Sequence, residues 1–284
     1  MSFRDVWRKS VNIVMFSLTG LATLFTVGVL FFILGYLIWY GGSSINWNFF
    51  TKLPAPVGES GGGMANAIVG SGKLLLLAAV IGVPTGLLGG IYLAEFGGQT
   101  FSFLVRYTAD LLNGVPSIVM GIFAYAVVVL PMHHGSAFAG GLALAVMLVP
   151  IVLRATEQFM RAVPVSLREG ALALGASKWK TVATVVVPAG FRGIATGILL
   201  SLARVAGETA PLLFTAGGNQ FWARGWDQPI ASLPVMIYTY ALSAYEDWHR
   251  QAWAAGLVLL AFVLIVTTGS RIILSLGFQS SRSQ

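Results

Sequence analysis

Residues 166–175 read SLREGALALG, and this short segment between two long apolar blocks decides how the chain is organised. Ser166 and Glu169 have the S-x-x-E spacing of a capping box, in which serine and glutamate side chains satisfy free backbone N–H groups at a helix start. Gly175 can adopt the left-handed conformation that closes a helix. The segment therefore predicts a short helix inside a connection between apolar blocks.

This short helix has an apolar face that its own connection does not need. Leu167, Ala171 and Leu174 follow at i, i+4 and i+7, so they lie on one helical side. Ser177 is placed to cap a second helix that runs toward Pro188. An exposed helix with a small apolar face suits docking into a groove of another protein. An ordinary amphipathic helix in a loop is the alternative.

The blocks around this connection predict an all-α membrane protein. Of 284 residues, 56% are hydrophobic and only 10% are charged, whereas soluble domains carry about 25% charged residues. The apolar blocks are long enough to cross about 30 Å of hydrocarbon. We predict six transmembrane helices, at roughly 12–40, 66–94, 107–131, 137–154, 191–216 and 251–276.

The basic residues predict that both termini are cytoplasmic. In that orientation twelve of the 17 basic residues lie inside and four outside, as the positive-inside rule requires. The N-terminal apolar run is too long for a cleaved signal, so we expect an uncleaved first span. The expected layout is a cytoplasmic N-terminus (1–11), a transmembrane domain (12–276, core about 66–276, cytoplasmic loop about 155–190) and a cytoplasmic tail (277–284).

Two predicted outer segments, 41–65 and 217–250, are rich in Gly, Trp and Tyr. Such rings settle in the headgroup zone, so an aromatic belt is the main interpretation and a docking surface the alternative. On the opposite side, Glu95 and Asp110 bracket a short loop, where we expect them to end spans or to contact a partner. No metal site, catalytic group or nucleic-acid site is predicted.

Arg204 and Glu208 fall within the predicted fifth span. An arginine at the bilayer centre costs about 2.5 to 3.5 kcal/mol, so its side chain should face protein rather than lipid. Glu208 follows four residues later, which in a helix permits an ion pair. Intramembrane ions commonly mark a substrate path, and a buried pair that fixes helix packing is the alternative.

Four stretches carry a resemblance to a known family. EGALALG (169–175), followed after nine residues by VVVP (185–188), resembles the EAA motif of ATP-binding cassette importer permeases, with Gly170 at the second Ala position. ARVAGETAPLLFTA (203–216) closely resembles the fifth-span signature of phosphate permeases of the PstA type. GGMANAIVGS (62–71) with IYLAEF (91–96), and NGVPSIVMG (113–121), resemble the second and third spans of that family.

The resemblance implies a type I importer permease (MetI-like) fold in the bacterial inner membrane. It implies coupling to an ATPase through Ser166, Leu167, Glu169, Ala171, Leu174, Gly175 and Pro188, and a phosphate path containing Arg204, Glu208 and Thr209. The implied partners are a homologous PstC-type permease, a PstB-type ATPase dimer and an external PstS-type phosphate-binding protein. This chain would bind no cofactor, with ATP and magnesium held by the ATPase. An ion-coupled secondary anion transporter or channel is the alternative.

Overall fold

A computed structural model describes residues 3–59 and 61–276, and these residues are mostly helical. The helices are α1 (Phe3–Gly42), α2 (Trp47–Thr51), α3 (Ala65–Glu95), α4 (Gln99–Gly114), α5 (Ser117–Met132), α6 (Ala137–Ala162), α7 (Val165–Ala173), α8 (Lys178–Ala206), α9 (Ala210–Thr215), α10 (Leu233–Ala241) and α11 (Glu246–Leu276). The predicted tail, 277–284, lies outside the described residues.

Five of these helices, α1, α3, α6, α8 and α11, are long and apolar enough to cross a membrane. Helices α4 and α5 pass the same test only as a pair, and they are bent by 103° at a short break. Six crossings result if this bent pair forms one span. The predicted all-α membrane architecture is confirmed.

Beyond shifts at the helix starts, the predicted spans differ from the helices in three places. The predicted third span, 107–131, is interrupted at Val115 and Pro116, because proline disfavours helical backbone at the residue before it. The predicted fourth span continues as α6 to Ala162. The predicted fifth span ends as α8 at Ala206, and α9 begins only at Ala210.

Helices α3 and α6 pack side by side in the same direction and form the centre of the fold. A Cβ added to Gly82, Gly86 or Gly90 of α3 would lie 3.0, 2.8 or 2.6 Å from atoms of α6. Because small residues let helix backbones approach closely, this glycine row sets a tight contact. Leu148 and Val152 of α6 are fully buried there.

The two glycine- and aromatic-rich segments, 41–65 and 217–250, form a folded cap at the N-terminal end of α3. Phe49 from α2 and Tyr240 from α10 are buried in one apolar cluster, and Tyr240 stacks on Trp248 with ring centroids 4.3 Å apart. Burial raises the pKa of Tyr240 to about 12. The aromatic belt prediction is wrong for Tyr240, because its ring packs against protein instead of facing the headgroups.

Candidate functional site

Helix α7 forms at the predicted place, but it begins differently from the prediction. Its N-cap is Pro164, with no capping hydrogen bond from a side chain, and Ser166 is already inside the helix. The predicted capping box between Ser166 and Glu169 is therefore wrong. Proline at 164 fixes an extended backbone before Val165, so the helix starts two residues earlier than a serine cap would place it.

The end of α7 agrees with the sequence. Gly175 has φ +83°, and the N–H of Ala176 donates to the carbonyl of Ala171 at 3.2 Å, as in a glycine-closed helix end. Leu167 and Leu172 are exposed, and Leu174 is 90% exposed. None of the α7 side chains is buried in this chain. Helix α7 thus presents apolar side chains that nothing in the described part of the chain covers.

Helix α8 begins as predicted and continues further than predicted. The hydroxyl of Ser177 accepts a hydrogen bond from the N–H of Lys180 at 3.4 Å. A π-helical turn, Val182–Val186, follows, and its i→i+5 bonding leads directly into Pro188. Because proline cannot donate to an α-helical ladder, a π-turn before it lets the helix continue instead of stopping.

The expected substrate residues lie at the break between α8 and α9. Arg204 is in the last turn of α8, and the N–H of Glu208 donates to the carbonyl of Val205 at 3.1 Å in the turn that follows. Thr209 directly precedes α9. Arg204 and Glu208 therefore do not share one continuous helix. Within the described residues no ion pair within 4.0 Å joins them, so the predicted pairing is wrong for this chain by itself.

The break lies about halfway along the bundle. Helix α8 runs antiparallel to α6, and a Cβ on Gly197 of α8 would be 2.8 Å from that of Ala155. Both helices rise by the same distance per residue, so moving the same number of residues forward from Gly197 and backward from Ala155 leads to Arg204 and Leu148. Arg204 therefore lies opposite Leu148, close to the middle of α6. Val205 and Leu148 belong to the same buried cluster, which agrees with this position.

The surroundings of the break are chemically unusual for this depth. The side chain of Arg204 is exposed in this chain, whereas Glu208 and Thr209 are half-buried. Across the described residues no ion pair holds Arg204. A free guanidinium, a carboxylate and a hydroxyl thus lie within six residues, beside backbone groups that a helix would otherwise satisfy. A planar guanidinium can give two parallel hydrogen bonds to an oxyanion.

A second group of charges, the Glu157 cluster (Arg106, Asp110, Arg154, Glu157 and Arg161), was not singled out from the sequence. Glu157 is 2% exposed and binds three guanidinium groups: Arg106 at 2.5 Å, Arg154 at 2.9 Å and Arg161 at 3.1 Å. Asp110 of α4 binds Arg154 at 2.9 Å, so it pairs within the chain. The signal was available as Arg-x-x-Glu-x-x-x-Arg at the end of an apolar helix.

Glu95 also has a partner that the sequence did not reveal. Its carboxylate binds Arg168, the residue before Glu169 in α7. The expectation that Glu95 simply ends a span is therefore incomplete, because it also attaches α7 to α3. The 73 residues between the two positions explain why no local pattern predicted this contact.

Comparisons with known proteins give consistent results. Residues 86–276 match the family described as binding-protein-dependent transport system inner membrane component. The chain is 44% identical over 271 residues to the phosphate transport system permease protein PstA of Yersinia pestis, covering 95% of this chain and 92% of that protein. It is 45% identical over 271 residues to PstA of Xylella fastidiosa strain Temecula1, covering 94% and 93%.

Solved structures give the same fold at lower sequence similarity. A bacterial transporter chain described as importing the acidic polysaccharide alginate superposes with a TM-score of 0.60, at 16% identity, covering 95% of this chain and 98% of that one. At this identity the likeness concerns the fold alone.

Proposed function

Because the chain belongs to the PstA family of phosphate transport system permeases, within the binding-protein-dependent inner membrane components, we propose that it forms half of an inorganic phosphate path. A separate ATPase would drive the import. The chain itself would carry no covalent chemistry and would hold no cofactor, with ATP and magnesium bound by the ATPase. A homologous PstC-type permease would supply the other half of the path.

One observation carries this proposal: Arg204 is exposed at mid-depth beside a break in helical structure. Irregular backbone at membrane depth is tolerated where it is buried in protein or lines a cavity, not against lipid. An arginine at that depth is likewise costly against acyl chains. Both arguments favour an α8–α9 break that faces a second permease across the substrate path.

The chemistry of the break suits a phosphate ion. The guanidinium of Arg204 matches two oxygens of a tetrahedral oxyanion, and the hydroxyl of Thr209 can donate a third hydrogen bond. The carboxylate of Glu208 would accept a hydrogen bond from a protonated phosphate oxygen. Fully ionised sulfate offers no such proton, so Glu208 would favour phosphate over sulfate. Unchanged sulfate exclusion in Glu208→Gln would contradict this role.

The exposed helix α7 supports the proposal that a separate ATPase binds to this chain. Glu169, Ala171 and Leu174 would dock on a PstB-type ATPase dimer, together with Leu167 and Gly175. Ser166, just before the motif, and Pro188, at its end, complete the proposed coupling residues. Closure of the ATPases on ATP would displace α7 and shift the helices between two states. If α7 docks on an ATPase, its end of the bundle is cytoplasmic, and so are both termini, as the basic residues predict. The folded cap at the opposite end would then face a PstS-type external binding protein.

Phosphate uptake by Arg204 variants tests the path. Loss of a hydrogen bond to a charged group costs about 1.5 to 3 kcal/mol, so Arg204→Gln should reduce uptake about ten- to a hundredfold in cells that assemble the complex normally. Uptake by Arg204→Lys should lie between that of the wild type and that of Arg204→Gln, because an ammonium keeps the charge but cannot form two parallel hydrogen bonds. The control is Lys9→Gln, which removes an exposed positive charge near the start of α1, outside both the break and the folded cap. Full uptake by Arg204→Lys would contradict bidentate recognition.

Co-purification in mild detergent tests the motor contact. We expect Glu169→Lys and Gly175→Val to release the ATPase, because the first reverses an exposed charge and the second strains a left-handed backbone. Phosphate uptake by this chain alone in liposomes would instead favour a secondary transporter.

A further inference from the structure

Arg168 attaches α7 to two of the long helices at once. Its Nε and Nη2 atoms donate to Oε1 of Glu95, the last residue of α3, at 3.1 and 2.8 Å. Nη1 donates to the carbonyl of Val163 at 2.5 Å, and Nη2 donates to that of Met160 at 2.6 Å. One guanidinium therefore joins α7 to the ends of both α3 and α6.

These contacts are well built and largely withdrawn from solvent. The side chain of Arg168 is 18% exposed and that of Glu95 is 9% exposed. Met160 and Val163 end α6, where carbonyl groups lack helical partners and carry partial negative charge. Arg168 thus satisfies a carboxylate and the end of a helix together, which a shorter or uncharged side chain cannot do.

Apart from Arg168 and the backbone, α7 packs mainly against the first turns of α8. Its apolar side chains are exposed, and its start has no side-chain cap. Among the described residues, every side-chain hydrogen bond or ion pair that joins α7 to α3 or α6 involves Arg168. A force applied to the exposed face of α7 would therefore reach α3 through this one residue. It would reach α6 through Arg168 and also through the backbone, since only Val163 and Pro164 connect the two helices.

Helices α3 and α6 can carry such a displacement to mid-depth. Their glycine contact, at Gly82, Gly86 and Gly90, leaves no room for one helix to shift sideways against the other. Leu74 and Leu148 of this pair belong to the same buried cluster as Val205, the neighbour of Arg204. A push on the Arg168 end is thereby passed to the wall of the α8–α9 break.

We propose that the Arg168–Glu95 bridge is the joint that transmits α7 displacement to the α3–α6 pair. Arg168 acts as a positioning residue and touches neither phosphate nor ATP. This inference rests on the proposed function, since it requires a motor that pushes α7. It goes beyond that function by assigning the transmission step to one pair of side chains.

The test compares ATP hydrolysis with phosphate uptake in liposomes containing the complete complex. We expect Arg168→Gln to retain the ATPase and its hydrolysis while uptake per ATP falls about fivefold or more, the scale of a typical coupling between sites. Arg168→Lys should lie between, because lysine keeps the charge but cannot reach all three acceptors. Arg8→Gln, at an exposed basic position near the start of α1 and outside the loop that contains α7, should leave the ratio unchanged.

Glu95→Gln provides an independent variant in case Arg168→Gln assembles poorly. It keeps the size of the side chain and removes the charge, so it should lower the ratio less than Arg168→Gln does. The double variant should be no worse than Arg168→Gln, because both changes break one contact. A wild-type ratio in the single variants, or additive losses in the double variant, would overturn the inference. Absence of ATP-driven uptake by the wild-type complex would instead overturn the proposed function.

Discussion

The Glu157 cluster and the α8–α9 break are two charged regions of one apolar chain, and they differ in how their charges are satisfied. In the cluster, a carboxylate that is 2% exposed binds three guanidinium groups. At the break, Arg204 is exposed and no described residue of the chain forms an ion pair with it. Every charged side chain of the cluster has an oppositely charged partner within the chain, whereas Arg204 has none among the described residues.

The difference distinguishes charges that stabilise the fold through ion pairs within the chain from a charge, on Arg204, that has no such pair. Buried ions are tolerated when partners and hydrogen bonds compensate their desolvation. Glu157 joins α4 to α6 in this way, since Arg106 comes from α4 and Arg154 from α6. Arg204 has no such partner among the described residues, and under the proposed function a second permease or the phosphate ion supplies one. The two regions should therefore respond to mutation in different assays.

The largest effect on stability is expected at the centre of the cluster. Glu157→Gln leaves three guanidinium groups around a neutral amide, and breaking a buried ion pair from one side costs about 3 to 5 kcal/mol. The folded yield and the thermal unfolding midpoint of the purified chain should both fall clearly. A midpoint equal to that of the wild type would mean that water satisfies the arginines.

Asp110, at the solvent-exposed edge of the same cluster, should contribute much less to stability. Asp110 has a side chain that is 56% exposed, so its pair with Arg154 is screened by solvent. Asp110→Asn should cost at most about 1 kcal/mol, measured by the same unfolding midpoint. A loss as large as that of Glu157→Gln would show that the cluster acts as one unit and not as a buried centre with a solvated rim.

The smallest effect on stability is expected at the break. Because Arg204 pairs with no described residue, Arg204→Gln should change the unfolding free energy of the isolated chain by no more than about 0.5 kcal/mol. Its phosphate uptake should nevertheless fall, as described above. Strong destabilisation of the isolated chain would remove the distinction between the two regions and favour a packing role for Arg204.

Local patterns located α7 well because helix ends depend on neighbouring residues. Gly175 closes the helix through its own backbone conformation, and Ser177 caps α8 through a hydroxyl three residues from its donor. The capping box failed for a related reason: Pro164 competes two residues earlier and starts the helix first. The docking role of α7 stays a prediction, since it concerns a second protein.

Long-range contacts could not be predicted in the same way. Arg106 and Glu157 are 51 residues apart, and Arg168 and Glu95 are 73 apart. Nothing near either residue indicates its partner, because the pairing depends on how α3, α4, α6 and α7 come together. The two breaks in helical structure, at Val115–Pro116 and Gly207–Thr209, were also missed, because the apolar residues on both sides of each break continue the pattern of a single span.

The sequence by itself determined the membrane class, the approximate places of the apolar helices and the short helix between two of them. These follow from hydropathy, spacing and backbone preference, which act over a few residues. Only the tertiary structure decided which charges are paired, where the spans break and how α7 is attached. Those depend on helices meeting across the bundle, where burial makes each unpaired charge costly.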